Sequence, residues 1–322
     1  MRATGLLGVI CLALVSVVAW PHAQGGGRAG GPAKHAAGTL APIPLDAGRP
    51  WGWATKAFMI DPNRKLYNTA KAKLLSGQQV FSHTQSIVSA EQYCQRAPHY
   101  DFTWFEMQHS RMSFADVESM IHACPHVGAT PMIRMPDALE ANMTKAYDLG
   151  VLGTIIPTVD DVFEARDASR FAHHPPIGRR SGNSSLWNKF LSPGETYRSS
   201  ANDNVLTVVM IETLEGVDNA HEIAATPGLD VVILGNGDLA SFSGFEQTDD
   251  RYQDLLTRVR NATYTAGKYW GNAGQQFATG NRLSPDSRFH QNGRTNDGWV
   301  PPAPAAGAPA AAPARGGRGR GQ

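Results

Sequence analysis

Two carboxylates follow two consecutive apolar runs in the second half of the chain. Glu212 comes directly after the run 205–211, and Asp238 comes soon after the run 231–234. A helical pattern over 216–225 separates the runs, so they are predicted to be neighbouring parallel strands whose ends lie roughly 5 Å apart. Two carboxylates at that distance repel each other unless a cation lies between them. Because Mg²⁺ and Mn²⁺ prefer carboxylate oxygens, the pair predicts a divalent metal site.

Each carboxylate also has an ordinary structural interpretation. Glu212 could cap the following helix, and Asp238 could lie in a solvated turn. The metal site is favoured because both residues stand at the same end of adjacent predicted strands.

Four further polar residues stand where predicted strands end. Glu106, Gln108 and His109 close one alternating run, and Arg134 closes the next. A guanidinium can polarise a carbonyl or hold an oxyanion, and an imidazole can move protons near neutral pH. With the two carboxylates, these groups are suited to making and quenching an enolate. The alternatives are that His109 caps a helix and that Arg134 forms a structural pair with Glu106.

Strand and helix patterns alternate along the chain and must position these residues. Strands are predicted at 79–84, 101–108, 130–135, 154–159, 205–211, 231–234, 268–271 and 288–291, and helices at 64–76, 90–96, 114–123, 138–149, 161–171, 216–225 and 252–266. About eight such repeats predict an α/β fold, a (β/α)8 TIM barrel with the chemistry at the carboxyl ends of its strands. The eighth helix is missing from the pattern and is replaced by a tail. The connection 173–204 is long enough to be functional or disordered.

The chain of 322 residues is predicted to divide into four parts. Residues 1–23 combine a basic start with a short apolar run, which is typical of a signal peptide, and an uncleaved anchor is the alternative. Residues 24–53 have the composition of a flexible linker. Residues 54–300 approach the ~250 residues of a TIM barrel. Residues 301–322, rich in Pro, Ala, Gly and Arg, are predicted to be disordered. We therefore expect an exported protein, periplasmic or secreted, with no membrane contact after cleavage.

Two cysteines lie outside the predicted signal peptide. Cys94 and Cys124 each end a predicted helix just before a strand, so both are expected in one layer of the barrel. In an oxidising compartment they could form a disulfide, and two separately buried thiols are the alternative. The sequence leaves both open.

Six segments of the sequence resemble the HpcH/HpaI aldolases, metal-dependent pyruvate aldolases related to the citrate lyase β-subunit. They are YDFTWFEMQHS, TPMIRMP, LGVLGTIIPTVDDVFEA, HHPPIGRR, VVMIETLEGVDNAHEIA and GLDVVILGNGDLA, and together they span roughly 68–271. The resemblance implies a carbon–carbon lyase of the class II aldolase type. Such an enzyme cleaves a 4-hydroxy-2-oxo acid to pyruvate and an aldehyde through an enolate.

The resemblance also implies roles for individual residues. Glu212 and Asp238 would bind a divalent metal, which is Mg²⁺, Mn²⁺ or Co²⁺. Arg134 would contact the carbonyl or enolate oxygen of pyruvate. His109 would work as the acid/base, with Glu106 as its acidic neighbour.

Substrate and partner predictions follow from the same resemblance. The backbone around Gly237 and Asp238 would receive the substrate carboxylate, with Arg134 and Gln108 also binding the substrate. The partner would be a small 2-oxo acid, and the protein would be a homo-oligomer. A formal net charge of +1 gives no reason to expect nucleic acid as a partner.

Three residues depart from the pattern of these aldolases. Glu106 stands where they usually have aspartate, Gln108 where they have glutamate and Asn236 where they have proline. The altered acid/base neighbourhood suggests a second hypothesis, an exported barrel that binds small carboxylates without turnover. A third hypothesis is an acyl-CoA lyase like citrate lyase.

Overall fold

The structure is a computed structural model that describes residues 66–175, 177–182, 186–191, 197–273 and 286–300, apart from the side chain of residue 199. The predicted signal peptide, linker and tail lie outside the described residues. Within these ranges, no helix is both long enough and apolar enough to cross a membrane.

Eight parallel strands close into a barrel in chain order, so the predicted TIM barrel is confirmed. The strands are β1 Val80–Gln85, β2 Phe102–Glu106, β3 Thr130–Arg134, β4 Gly153–Ile156, β5 Leu206–Ile211, β6 Val231–Gly235, β7 Tyr269–Ala273 and β8 Phe289–His290. The two-residue strand β8 pairs with both β7 and β1 and thereby closes the ring.

Ten α-helices surround the strands within the described residues. They are α1 Thr69–Leu75, α2 Ala90–Arg96, α3 Phe114–Ala123, α4 Glu140–Asp148, α5 Val162–Ala172, α6 Tyr197–Asn204, α7 Leu214–Asp218, α8 Ala220–Ala225, α9 Asn236–Ser243 and α10 Asp250–Thr265. Two short 3-10 helices, Ala97–His99 and Leu186–Phe190, join them.

The side chains that point into the barrel form one apolar cluster. Trp104, Met132 and Ile233 belong to it, together with Leu74 of α1. Because these residues alternate along each strand with residues that face the outer helices, the last inward position of a strand lies at the carboxyl rim. That alternation places Glu106 and Arg134 above the packed interior.

The long connection before β5 is more ordered than the sequence pattern suggests. Its described residues include a 3-10 helix and α6, and Trp187, Tyr197 and Ala201 form a small apolar cluster with Leu152. Its described residues pack because they contribute their own buried side chains, which the pattern of Pro, Gly and Arg residues does not show.

No helix follows β8 in residues 291–300, the part of that segment that the structure describes. The segment instead contacts the region before β2. The ring of His99 stacks on Trp299 with centroids 4.3 Å apart, and the backbone N–H of Asn296 donates to the His99 carbonyl at 2.8 Å. The prediction that the last helix is missing holds for these ten residues.

Cys94 and Cys124 form a disulfide, with their Cα atoms 5.8 Å apart and a sequence separation of 30. A disulfide that closes a loop of this length lowers the conformational entropy of the unfolded chain and so stabilises the folded protein. We expect a Cys94→Ala/Cys124→Ala variant to lose about 3 to 4 kcal/mol of unfolding free energy. Urea unfolding measures the loss. A reductant should destabilise the wild type to a similar degree and leave the double variant unchanged, so equal effects on both would contradict the prediction.

His173 lies buried at the end of α5, and burial lowers its pKa to about 4. The nearby cations Lys71 and Arg180 act in the same direction, while the Asp230 carboxylate opposes them. The ordinary pKa is 6.5, so between pH 6.5 and 4 the unfolded chain binds a proton that the folded protein excludes. The stability that neutral His173 contributes is therefore complete above pH 6.5 and is lost as the pH falls toward 4.

We expect His173 alone to lower the unfolding free energy by about 2 kcal/mol between pH 7.5 and pH 5. Urea unfolding at the two pH values measures the change. In a His173→Gln variant the decrease should be smaller by that amount. If the unfolding free energy falls by the same amount between the two pH values in the wild type and in the variant, His173 does not cause the loss of stability in acid.

Candidate active site

Three charged side chains from three strands meet at the carboxyl rim of the barrel. Arg134 lies opposite Glu106 in the register of β2 and β3, and Glu212 directly follows β5. The Nη1 atom of Arg134 is 3.4 Å from Glu106 Oε2, and its Nη2 atom is 3.8 Å from Glu212 Oε2. All three side chains are buried. Arg134 therefore connects two carboxylates, and its pairing with Glu106 is real.

Hydrogen bonds engage both oxygens of the Glu106 carboxylate. Oε1 accepts from the backbone N–H groups of Gln108 at 3.0 Å and His109 at 3.1 Å, and Oε2 accepts from Trp104 Nε1 at 3.1 Å and from Arg134. Glu106, the predicted acidic neighbour of His109, thus contacts the backbone of His109 in this structure. The reason is that four donors converge on the longer glutamate side chain. The imidazole itself is exposed at the rim.

The two oxygens of Glu212 have different surroundings. Oε1 accepts from the backbone N–H of Thr158 at 2.9 Å and from its hydroxyl at 3.3 Å. Oε2 is buried and receives no hydrogen bond from the described part of the chain. It lies against Gly235, where a Cβ atom would be only 2.2 Å away. The missing side chain at Gly235 thus makes the room that Glu212 occupies.

Glu212 and Asp238 interact electrostatically. Burial raises the pKa of Glu212 to about 7, and a hydrogen bond that protonated Glu212 would donate to Asp238 adds to the rise. Arg134 and the backbone of Thr158 oppose it. Asp238 itself lies in the first turn of α9, one turn beyond the strand end, and is exposed. A second negative charge on this pair is therefore costly unless a cation offsets it.

This carboxylate pair fits a divalent cation of the Mg²⁺ or Mn²⁺ type. Glu212 Oε2 is a buried carboxylate oxygen that accepts no hydrogen bond in the described ranges and has only the long 3.8 Å contact with Arg134, so it can still take a cation as a partner. The described residues contain no group of three or more His, Cys, Asp or Glu side chains that could hold a metal. Mg²⁺ commonly takes only one or two carboxylates and completes its shell with water and substrate, so two suffice.

Two predicted site residues remain, Gly237 beside Asp238 and Gln108 beside His109 in sequence. Gly237 is exposed beside Asp238 at the start of α9, with open space around its Cα atom. Gln108 is partly buried, and its side-chain oxygen accepts no hydrogen bond within the described ranges. Both positions leave polar groups available to a ligand.

Asn236 has a structural role that the sequence analysis did not predict. Its backbone carbonyl and Oδ1 accept from the Tyr252 hydroxyl at 3.0 and 3.1 Å, and its Nδ2 donates to Asn272 Oδ1 and to the carbonyl of Ala273 at 3.1 Å. These bonds tie the start of α9 to β7 and α10 and so fix the turn that carries Asp238. The sequence signal was its place between two glycines at a strand end.

Thr158 is the other residue that the sequence analysis missed. It follows β4 at the same rim and is the donor to Glu212. The rule that identified Glu106, Arg134 and Glu212, a polar residue at the carboxyl end of a strand, also applies to Thr158.

Comparison with known proteins identifies the family of the chain. The family described as HpcH/HpaI aldolase/citrate lyase matches residues 81–286. The chain is 32% identical over 145 residues to a 2-dehydro-3,6-dideoxy-6-sulfogluconate aldolase of Pseudomonas putida, covering 45% of this chain and 57% of that protein. It is 32% identical over 176 residues to a hydroxypyruvate/pyruvate aldolase of Rhizorhabdus wittichii, covering 53% of this chain and 69% of that protein. The first match thus spans little more than half of the relative.

A solved structure shows the same relationship. An HpcH/HpaI aldolase/citrate lyase family protein from Burkholderia cenocepacia superposes with a TM-score of 0.61 at 26% identity, covering 70% of this chain and 92% of that one. The family match over residues 81–286 contains β2 to β7 and all of β1 except Val80, and it ends before β8. The chain therefore belongs to the HpcH/HpaI aldolase/citrate lyase family of carbon–carbon lyases.

Proposed function

We propose that the protein is a class II aldolase that cleaves a 4-hydroxy-2-oxo acid to pyruvate and an aldehyde with the help of Mg²⁺, Mn²⁺ or Co²⁺. The observation that carries the proposal is the arrangement around Arg134, which lies between Glu106 and Glu212 while Glu212 Oε2 keeps no hydrogen-bond donor of its own among the described residues. The names of the aldolase relatives support the same reaction class.

Glu212 and Asp238 would hold the cation. When bound, a divalent cation supplies Lewis-acid stabilisation of negative charge on the substrate. The substrate carboxylate would lie at the backbone N–H groups around Gly237 and Asp238, because the first turn of a helix favours an anion. Gln108 supplies a side-chain amide at the same rim.

Arg134 would stabilise the enolate oxygen of the product half. Its Nη atoms make only long contacts, 3.4 Å to Glu106, 3.8 Å to Glu212 and 3.6 Å to the sulfur of Met210, and its Nε has no partner in the described part of the chain. Such donors remain able to bind an oxygen on which charge develops. Glu106 keeps the guanidinium at the rim.

Cleavage requires removal of the proton from the 4-hydroxyl, breakage of the C3–C4 bond and protonation of C3 of the enolate. His109 is the imidazole that the rim exposes to solvent, so it can exchange protons with water between turnovers. Its backbone N–H is fixed by Glu106, which sets where the loop presents the ring.

Deuterium exchange tests the proposal without knowledge of the aldehyde. The purified protein with Mn²⁺ is expected to exchange the methyl protons of pyruvate in D₂O, followed by NMR, and to release pyruvate from a panel of 4-hydroxy-2-oxo acids. Saturable pyruvate binding without exchange or cleavage under any of the three metals would instead support the hypothesis of a non-catalytic carboxylate-binding barrel. Turnover confined to acyl-CoA substrates would support the lyase of the citrate lyase type.

We also propose that the protein is exported and works in an oxidising compartment. The disulfide between Cys94 and Cys124 supports this, because such bonds rarely persist in a reducing cytosol. Thiol labelling after rapid acid quenching of cells should leave both cysteines unlabelled, and labelled cysteines in the cellular protein would argue against export. The homo-oligomer stays a prediction, which the mass from light scattering tests.

A further inference from the structure

Thr158 has an unusual backbone conformation. Its φ angle is +48°, and within the described residues only His126 shares a positive φ among non-glycine residues. A positive φ is a steric outlier for a β-branched side chain, so the surrounding structure must hold it in place. The neighbouring bonds do so: the backbone N–H of Val159 donates to the carbonyl of Met210 at 2.9 Å, and Asn219 Nδ2 donates to the carbonyl of Asp160 at 2.8 Å.

The conformation directs both donors of Thr158 to a single atom. Its backbone N–H and its hydroxyl both donate to Oε1 of Glu212. Oε2 is thereby left without a donor in the described ranges, on the side of Arg134 and Gly235. Without Thr158, the carboxylate could rotate and present either oxygen.

We propose that Thr158 is a positioning residue whose hydroxyl, added to its backbone N–H, keeps one oxygen of Glu212 occupied and so reserves the other for the metal. This inference rests on the metal site of the proposed function. It goes beyond that function because Thr158 is not itself a metal ligand. This exposed threonine would determine which oxygen of Glu212 binds the cation. When a neighbouring residue donates a hydrogen bond to a metal-binding carboxylate, loss of that bond commonly lowers the metal affinity by about 10- to 100-fold.

A pair of substitutions at this exposed position separates positioning from a structural role. Thr158→Val keeps the size and branching of the side chain and removes only the hydroxyl, whereas Thr158→Ser keeps the hydroxyl. We expect the Kd for Mn²⁺, measured by isothermal titration, to rise about 10-fold in the valine variant and to stay within about 2-fold of the wild type in the serine variant. The unfolding midpoint of the metal-free valine variant should match that of the wild type.

The outcomes are distinguishable from failure of the proposed function. If the wild type does not bind Mn²⁺, both the metal site and this inference fail. If the wild type binds Mn²⁺ and the valine and serine variants bind it equally well, the metal site stands and the positioning role is overturned. A lower unfolding midpoint in the valine variant without a change in Kd would likewise show a purely structural residue.

Discussion

Replacing Glu212 by glutamine is expected to weaken Mn²⁺ binding at least about 100-fold and to abolish pyruvate enolisation. The amide keeps the size of the side chain and can still accept from Thr158 through its oxygen. It removes the negative charge and the oxygen that lies beside Asp238 and Arg134. The metal-free variant should unfold at the same or a higher temperature than the wild type, because a desolvated carboxylate next to another carboxylate has been neutralised.

Two measurements and one matched variant test this expectation. Isothermal titration gives the Mn²⁺ affinity, and thermal unfolding with and without Mn²⁺ gives the stability. Glu215→Gln is the control, because Glu215 is an exposed carboxylate on α7 only three residues away. An unchanged Mn²⁺ affinity in Glu212→Gln, or an equal loss in Glu215→Gln, would remove Glu212 from the metal site.

Gly235→Ala is expected to reduce activity by about two orders of magnitude although position 235 bears no functional group. A Cβ atom there would lie 2.2 Å from Glu212 Oε2 and 2.8 Å from its carboxyl carbon, so the carboxylate must move. Thr158 holds the opposite oxygen, which leaves little freedom for a small adjustment. Displacing a ligand by this much should weaken metal binding by about 10- to 100-fold and cost about 1 to 3 kcal/mol of stability from overpacking.

Gly182→Ala provides the control for adding a methyl group at a glycine. Its Cβ would meet only the end of the Arg198 side chain at 3.4 Å, which is ordinary contact. Activity, Mn²⁺ affinity and stability in urea should therefore be much lower in Gly235→Ala than in Gly182→Ala. Full activity in Gly235→Ala would mean that Glu212 can ligate from a different position than the one it occupies in this structure.

The fold was predictable because each strand and each helix has its own periodicity. Apolar runs such as that before Glu212 mark strands, and the number of repeats distinguishes a barrel from an open sheet. The strand-end rule placed Glu106 and Arg134 at one rim, and their register in β2 and β3 then brings them together. These features depend on local sequence and on a closed topology, both of which are visible in the chain.

The details of the site were less predictable because they depend on three-dimensional contacts. The positive φ of Thr158 results from the junction of β4 with β5, and nothing in the residue type indicates it. Glu106 binds the backbone of His109 instead of its ring because Trp104 and Arg134 occupy its other oxygen. The order in the connection 173–204 likewise arises from apolar side chains that become buried only on folding.

The contacts of the segment after β8 have a consequence for folding during synthesis. Lys73 donates to Asn296 across 223 residues of sequence, and β8 closes the barrel against β1. At typical rates of synthesis, roughly 10 to 50 s separate the appearance of these two residues. During that time β1 is an unpaired parallel edge, open to intermolecular pairing. The ring cannot close before β8 is available, and aggregation competes with folding during the interval before that.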